Sequence, residues 1–132
     1  MITFCAQAAK HFPNASINET HHLNKKDAPS ATAIATAEAI AANRCHPPLQ
    51  HASKEILANS LGATHQDVDI HSNRLPGKIA QQTVSFANHG ESLIIQHETI
   101  SRDAFLAGIS FACEQVFQFN SLLLGLNQAM LN

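Results

Sequence analysis

The pattern of apolar residues along the chain predicts four helices separated by turns. The first run recurs at helical spacing from Ile2 and stops at Pro13. Ser30 is placed as an N-cap before an alanine-rich segment, and Gly62 follows a shorter run that it can end. Ser101 precedes the longest run, whose apolar side recurs every three to four residues. The predicted helices span residues 1–12, 31–42, 53–61 and 102–119.

Alternating apolar and polar positions predict four strands, at residues 15–22, 67–73, 79–87 and 92–99. The last two are predicted to form a hairpin. The order of elements indicates an α+β fold, an open mixed sheet of about four strands with helices packed on one face. Such a sheet leaves its other face and its edges uncovered, and a second copy of the chain is the simplest cover. We expect alternating residues such as Val84 and Phe86, with the apolar tail at 122–130, to support a homo-oligomer.

Composition narrows the class of protein. The 132 residues suit a single domain, and 45% hydrophobic residues indicate a globular chain. A net charge of −2 and the absence of Trp and Tyr argue against nucleic-acid binding. Three widely spaced cysteines predict reduced thiols. The polar N-terminal segment does not resemble a signal peptide, and no apolar run approaches membrane-spanning length. We therefore expect a soluble cytoplasmic protein without membrane partners.

The segment 21–33 concentrates the candidate chemistry. Asp27 begins a turn that leads into a helix starting at Ser30. The first amides of that helix, at Ala31, Thr32 and Ala33, have no acceptor within it, and the helix dipole is positive there, so a carboxylate or phosphate fits. Hydroxyls of Ser30 and Thr32 add donors. The preceding residues His21, His22 and Lys25 bring cationic or proton-donating groups. The segment predicts a site for a small dianion beside an imidazole.

A purely structural role is the alternative for the same residues. Ser30 can serve only as a helix cap, and the adjacent lysines are typical of a solvated surface. Successive histidines on a strand point to opposite faces, so one can be buried and the other exposed. His21 and His22 lack cysteine or carboxylate companions at ligand spacing, and the sequence therefore predicts no metal site.

The same segment resembles a family motif. The dihydrodipicolinate reductases of lysine biosynthesis carry Glu-x-His-His-x-x-Lys-x-Asp-Ala-Pro-Ser-Gly-Thr-Ala, and residues 19–33 match every fixed position except the glycine. The resemblance continues downstream, through Arg74, "IAQQTVSFA" and "GESLIIQHETISRDAFLAGI". It covers nearly the whole chain and is strongest at 19–33 and around 90–108.

The resemblance implies a role for each matched residue. His21 corresponds to the family's proton donor and Lys25 to the lysine that assists at the substrate. The dicarboxylate-binding positions correspond to His22, Ser30, Ala31 and Thr32. The implied reaction transfers hydride from NADPH or NADH to a cyclic unsaturated dicarboxylate and gives tetrahydrodipicolinate, in diaminopimelate and lysine biosynthesis. The implied fold is the family's C-terminal α+β domain, which assembles into a homotetramer through its sheet.

Two departures from the motif bear on function. Ala31 replaces the motif glycine, which is costly if the backbone needs positive φ or if the substrate lies against it, and harmless at the first position of a helix. Ala80-Gln81-Gln82 replaces a Gly-Glu-His-like run, which raises a question about local substrate or cofactor contacts.

The five glycines are scattered, so the clustered fingerprint of a dinucleotide-binding turn is missing. We expect residues 1–132 to form one substrate-binding and oligomerisation domain, with the family's N-terminal Rossmann domain absent. No cofactor is expected to bind this chain alone. Two interpretations stay open: the catalytic domain of a reductase, inactive without its nucleotide-binding domain, or a truncated relative that serves as a binding or assembly module.

Overall fold

The computed structural model describes residues 1–123, 125–126 and 130, which fall into two compact units, Met1–Glu98 and Thr99–Asn132. The first unit contains two α-helices and the sheet. Its elements are α1 (Ile2–Ala9), β1 (Asn14–His21), α2 (Ala31–Asn43), β2 (Ala63–His65), β3 (Val68–Arg74), β4 (Ala80–Asn88) and β5 (Glu91–Thr99). The last residue of β5 begins the second unit, which contains α3 (Leu106–Gln115) between 3-10 turns at Arg102–Phe105 and Val116–Gln118.

β1 is the central strand of the sheet. The strand order is β2-β3-β1-β4-β5, with β1 parallel to β3 and antiparallel to β4. The chain leaves β1, passes through α2 and returns through β2 to β3. His21 at the end of β1 therefore lies opposite Arg74 at the end of β3. The β1–α2 loop, residues 22–30, begins at this same end of the strands. The α+β fold with an open mixed sheet is confirmed, with five strands rather than about four.

The core lies between α1, α2 and one face of the sheet. Ile17, Ile70, Val84 and Phe86 point to this face and are 0–2% exposed. Val84 and Phe86, which were expected to support a homo-oligomer, instead belong to this core, because the alternation of β4 directs both toward the helices. The opposite face is polar; there Asn73 donates to the side-chain oxygen of Asn18 at 2.6 Å.

The predicted short helix at 53–61 is wrong, because those residues lie in turns and irregular structure. Gly62 does not end a helix: its φ is +86°, and a Cβ there would lie 2.6 Å from the carbonyl oxygen of Ile70. Its role is to let the backbone approach β3 closely. The three-residue strand β2 was missed, because three residues are too few to show an alternation.

The second unit begins with a capped turn. The Ser101 side chain accepts from the Asp103 amide at 3.2 Å, as a predicted N-cap should. The predicted helix 102–119 is divided, with α3 between two 3-10 turns. Part of the predicted apolar tail, residues 124 and 127–129, lies outside the described residues. Among the described helices, none has the length and apolar character that a membrane crossing requires.

Candidate active site

One arginine fastens the β1–α2 loop to the sheet. Arg74 at the end of β3 donates from Nη2 to the carbonyl oxygen of Asp27 at 2.6 Å and from Nε to that of Lys25 at 3.4 Å. The next amide, that of Leu75, donates to the carbonyl oxygen of His21 at 3.0 Å. The loop of the predicted site is thus held at both its start and its middle by the end of β3.

The same arginine pairs with a carboxylate in the core. Glu19 is fully buried, and Arg74 Nη1 lies 3.1 and 3.2 Å from its two oxygens. His21 Nδ1 makes a further hydrogen bond to Glu19 Oε2. Burial alone would raise the pKa of Glu19, but hydrogen bonds from Ser72, His21 and Arg74, with the charge of Arg74, lower it below the ordinary 4.5. A charged carboxylate is therefore stable beneath the loop.

Lys25 is held by a neighbouring carboxylate. Its Nζ lies 2.6 Å from each oxygen of Asp27. The hydrogen bond from Lys25 is the main reason that the pKa of Asp27 is lowered. Since Asp27 is exposed and Lys25 partly exposed, solvent screens this pair, and a carboxylate ligand can compete with Asp27 for the ammonium group.

The N-terminus of α2 is capped and also open to solvent. The Ser30 side chain accepts from the Ala33 amide at 3.2 Å, and Ser30 is 3% exposed. The predicted use of the Ala33 amide for a ligand is therefore corrected, because the cap occupies it. Ala31 and Thr32 are exposed, and within the described part of the chain their amides have no hydrogen-bond acceptor. Two amides, rather than three, are available to an anion.

Ala31 occupies the first helical position of α2. The non-glycine residues with positive φ in the described chain are Asn59, Gln66 and Asp67, so the backbone of Ala31 is not left-handed. A methyl group there carries no conformational cost. The replacement of the motif glycine by Ala31 can therefore affect only how closely a ligand approaches the backbone.

A buried polar chain supports the first turn of α2 from beneath. Thr36 donates to the carbonyl oxygen of Thr32 at 2.7 Å, and Gln82 Nε2 on β4 donates to the Thr36 hydroxyl at 2.9 Å. Thr36 and Gln82 are buried. The departure from the family motif at Gln82 therefore bears on the support of α2.

The family of this chain is shown by comparison with known proteins. The family model described as "Dihydrodipicolinate reductase, C-terminus" matches residues 1–130. The chain belongs to this family.

Relatives of the family match over nearly the whole chain. The 4-hydroxy-tetrahydrodipicolinate reductase of Legionella pneumophila is 43% identical over 130 residues, covering 98% of this chain and 54% of the relative. That of Lactobacillus acidophilus is 43% identical over 132 residues, covering 98% of this chain and 50% of the relative. The chain thus spans about half the length of the curated reductases that it matches.

A solved reductase shares the fold. The dipicolinate-bound dihydrodipicolinate reductase from Paenisporosarcina sp. TG-14 matches with a TM-score of 0.84 and 38% identity. The match covers 96% of this chain and 48% of that one. The family model and the curated relatives thus place this chain with the C-terminal half of family members.

The predicted site residues of this reductase domain all lie in one stretch, between the end of β1 and the first turn of α2. Among the described residues, their side chains do not hydrogen-bond to one another; His21 binds Glu19, Lys25 binds Asp27, and Ser30 caps the helix. Arg74 holds the loop between them through the carbonyl oxygens of Lys25 and Asp27. The predicted residues are His21, His22, Lys25, Ser30, Ala31 and Thr32.

Sequence reasoning assigned no role to Glu19 or Arg74. A signal for Glu19 was present, because it lies two residues after Ile17 and so on the same, buried face of β1, where a charge requires a partner. Its partner is 55 residues away, and only the parallel pairing of β1 with β3 brings Arg74 to it.

The residues described here do not fit the dinucleotide that the family's reaction requires. Dinucleotide sites use a glycine-rich turn between a strand and the following helix. The corresponding turn here, residues 22–30, contains no glycine and is filled by the Lys25–Asp27 pair and the capping Ser30. The geometry instead suits a small anion at the N-terminus of α2.

Proposed function

We propose that this chain is the substrate-binding and catalytic domain of a 4-hydroxy-tetrahydrodipicolinate reductase, acting in the cytoplasm in diaminopimelate and lysine biosynthesis. The observation that carries the proposal is the exposed N-terminus of α2. There the amides of Ala31 and Thr32 lack acceptors within the described chain, and the preceding loop supplies Lys25. Reduction uses hydride from NADPH or NADH, for which a nucleotide-binding domain must act with this one.

Carboxylate binding follows from the local electrostatics. Two amides at the positive end of a 13-residue helix, with the Thr32 hydroxyl, supply converging donors for one carboxylate group. Lys25 supplies a cation once its bond to Asp27 is exchanged for the ligand, and His22 borders the same loop. The dipicolinate bound to the Paenisporosarcina reductase is a dicarboxylate of this class, which supports the assignment.

The proposed chemical role of this domain is proton donation. His21 supplies the proton that accompanies hydride addition to the unsaturated ring, while Lys25 holds the substrate. The helix terminus fixes the ring through its carboxylate, so that the imidazole and the reacting bond keep one orientation.

We further propose that the chain assembles as a homotetramer through its sheet. The polar face that carries Asn18 and Asn73 lies on the side of the sheet opposite α1 and α2. Sedimentation equilibrium tests the assembly: a tetrameric mass supports it, and a monomer at high micromolar concentration contradicts it.

A fused protein separates catalysis from binding. The N-terminal part of the Legionella pneumophila reductase that this chain does not match is joined to Met1, and NADPH oxidation is followed with the family's substrate. Substrate-dependent oxidation is expected, with a loss of at least about 100-fold in His21→Gln, because general acids contribute about 10² to 10⁴ in rate. A fusion that binds cofactor and dicarboxylate but does not turn over contradicts the reductase and favours the binding-module alternative.

A further inference from the structure

A buried carboxylate lies directly behind the proposed proton donor. Glu19 and His21 are two residues apart on β1, so their side chains share the face turned toward α1 and α2. Glu19 has 0% exposure, whereas the side chain of His21 is 14% exposed. The contact joins Nδ1 of the ring to Oε2 of the carboxylate.

The other ring nitrogen faces outward. Nε2 of His21 has no hydrogen-bond partner among the described residues. The only fully buried side-chain nitrogen or oxygen without a partner in the described part of the chain is Arg44 Nε. Nε2 of His21 therefore has solvent-accessible surface, and it is the nitrogen that a ligand can reach.

We propose that Glu19 is a positioning residue for His21, held in place by Arg74; this inference rests on the proposed reductase function. The carboxylate accepts the hydrogen on Nδ1, which assigns the transferred proton to Nε2. In the transfer, the Nε2–H bond breaks, its electron pair stays on the ring, and the proton goes to one atom of the unsaturated bond. When bound by a nucleotide-binding domain, the nicotinamide cofactor would supply the hydride for the other atom. The neutral ring that is left keeps its remaining proton on Nδ1, where Glu19 accepts it.

Arg74 connects this pair to the substrate loop. One guanidinium group contacts both oxygens of Glu19 through Nη1 and the loop carbonyl of Asp27 through Nη2. Because a guanidinium is planar and its donors are fixed relative to one another, the positions of carboxylate and loop are coupled. Arg74 thereby fixes the position of the proton donor relative to the loop that carries Lys25.

Replacement of Glu19 by glutamine gives a sharp test. Arg74 Nη1 donates to both carboxylate oxygens, so the amide oxygen of a glutamine turns toward Arg74 and its NH₂ group faces His21. Nδ1 must then accept a hydrogen bond, and the neutral ring carries its proton on Nε2. Loss of the Nε2 proton from that neutral ring would leave an imidazolate anion instead of a neutral imidazole, so the variant ring is a far poorer proton donor. In serine proteases an amide in place of the carboxylate behind the catalytic histidine also fixes the tautomer, and there it reduces kcat by about 10⁴.

The tautomer is read from the ¹⁵N shifts of the two ring nitrogens, at a pH where the ring is neutral, with His21→Gln used to assign the signals. The wild-type chain is expected to carry its proton on Nδ1, and Glu19→Gln on Nε2. Glu38→Gln is the matched control, because Glu38 also contacts a histidine, His65, at 3.3 Å, but in an exposed pair. It is expected to leave the His21 signals unchanged.

Either a wild-type Nε2–H tautomer or an unchanged tautomer in Glu19→Gln overturns the proposal. The wild-type measurement needs no variant. Arg74→Lys gives a second test: a lysine cannot contact Glu19 and the loop carbonyl of Asp27 at once, so the His21 signals are expected to broaden or shift. In the fused protein, Glu19→Gln is expected to reduce kcat at least about 100-fold with KM unchanged. If the tautomer switches but the chain does not bind a dicarboxylate, the proposed function fails and the positioning role of Glu19 stands.

Discussion

Gln82 on β4 donates its side-chain amide to the hydroxyl of Thr36 on α2 at 2.9 Å, within the core. The Thr36 hydroxyl in turn donates to the carbonyl oxygen of Thr32 at 2.7 Å. The first turn of α2, where we place the anion site, is thus hydrogen-bonded to the sheet through two buried side chains. This relationship gives the site a support that lies outside the motif at residues 19–33.

Gln82→Ala is therefore expected to lower the free energy of unfolding by about 1–3 kcal/mol, because it leaves the Thr36 hydroxyl without its buried donor. Urea denaturation measures the change. Gln81→Ala is the matched control, since Gln81 is the preceding residue and points to the other face of the sheet; a change within about 0.5 kcal/mol is expected. Equal effects of the two substitutions would contradict the role of the Gln82–Thr36 contact.

Most regular elements of the first unit were predictable because their patterns are local, whereas the three-residue β2 was not. Ser30 before an alanine-rich run gave α2, and the turn at His89-Gly90 between alternating segments gave the β4–β5 hairpin. Strand pairing is not local, and no pattern in β1 shows that its neighbours are β3 and β4. The orientation of Val84 and Phe86 was misjudged for the same reason, since the side of the sheet that receives the helices is set by tertiary packing.

The residues of the candidate site that a ligand would contact were predictable from the sequence. The residues that support them from the sheet were less so. His21, Lys25 and the start of α2 lie within one stretch of sequence, whereas Arg74 and Gln82 come from distant strands. The sequence could not show that Ser30 uses the Ala33 amide or that Lys25 pairs with Asp27, because both depend on the backbone course of the loop.

Lys25→Ala is expected to weaken binding of pyridine-2,6-dicarboxylate by about tenfold or more. A charge-assisted hydrogen bond contributes about 1.5–3 kcal/mol, and about 1.4 kcal/mol is a factor of ten. The substitution also frees the Asp27 carboxylate, which repels an anion. Calorimetry measures the affinity, with Lys26→Ala as the neighbouring control of the same charge. Wild-type affinity in Lys25→Ala would exclude Lys25 from the site.

Ala31→Gly is expected to preserve or improve dicarboxylate binding, because glycine allows closer approach to the amides of α2. The same substitution is expected to lower the free energy of unfolding by less than about 1 kcal/mol, since glycine is the poorer helix former. Calorimetry and urea denaturation measure the two effects. A loss of affinity with unchanged stability would show that the alanine methyl group contacts the ligand favourably.

The stability of the chain is expected to depend on Glu19 below about pH 4.5. Its pKa is lowered in the folded state from an ordinary 4.5, so the ionised carboxylate stabilises the fold fully above that pH. The contribution is lost as the pH falls through the folded pKa. Urea denaturation of the wild type and of Glu19→Gln between about pH 3 and 6 measures it. The difference between them should narrow on acidification; a constant difference would contradict the ionised pair.

The most direct test of the account is to locate a bound dicarboxylate on the chain. Pyridine-2,6-dicarboxylate is titrated against ¹⁵N-labelled protein, with the monocarboxylate of the same ring as control. Saturable shifts of the amides of Ala31 and Thr32, stronger for the dicarboxylate, are the predicted result, with Ser85 on the opposite sheet face unaffected. No saturable shift at millimolar concentration, or saturation only at residues away from the β1–α2 loop and the start of α2, would contradict a dicarboxylate site at the N-terminus of α2.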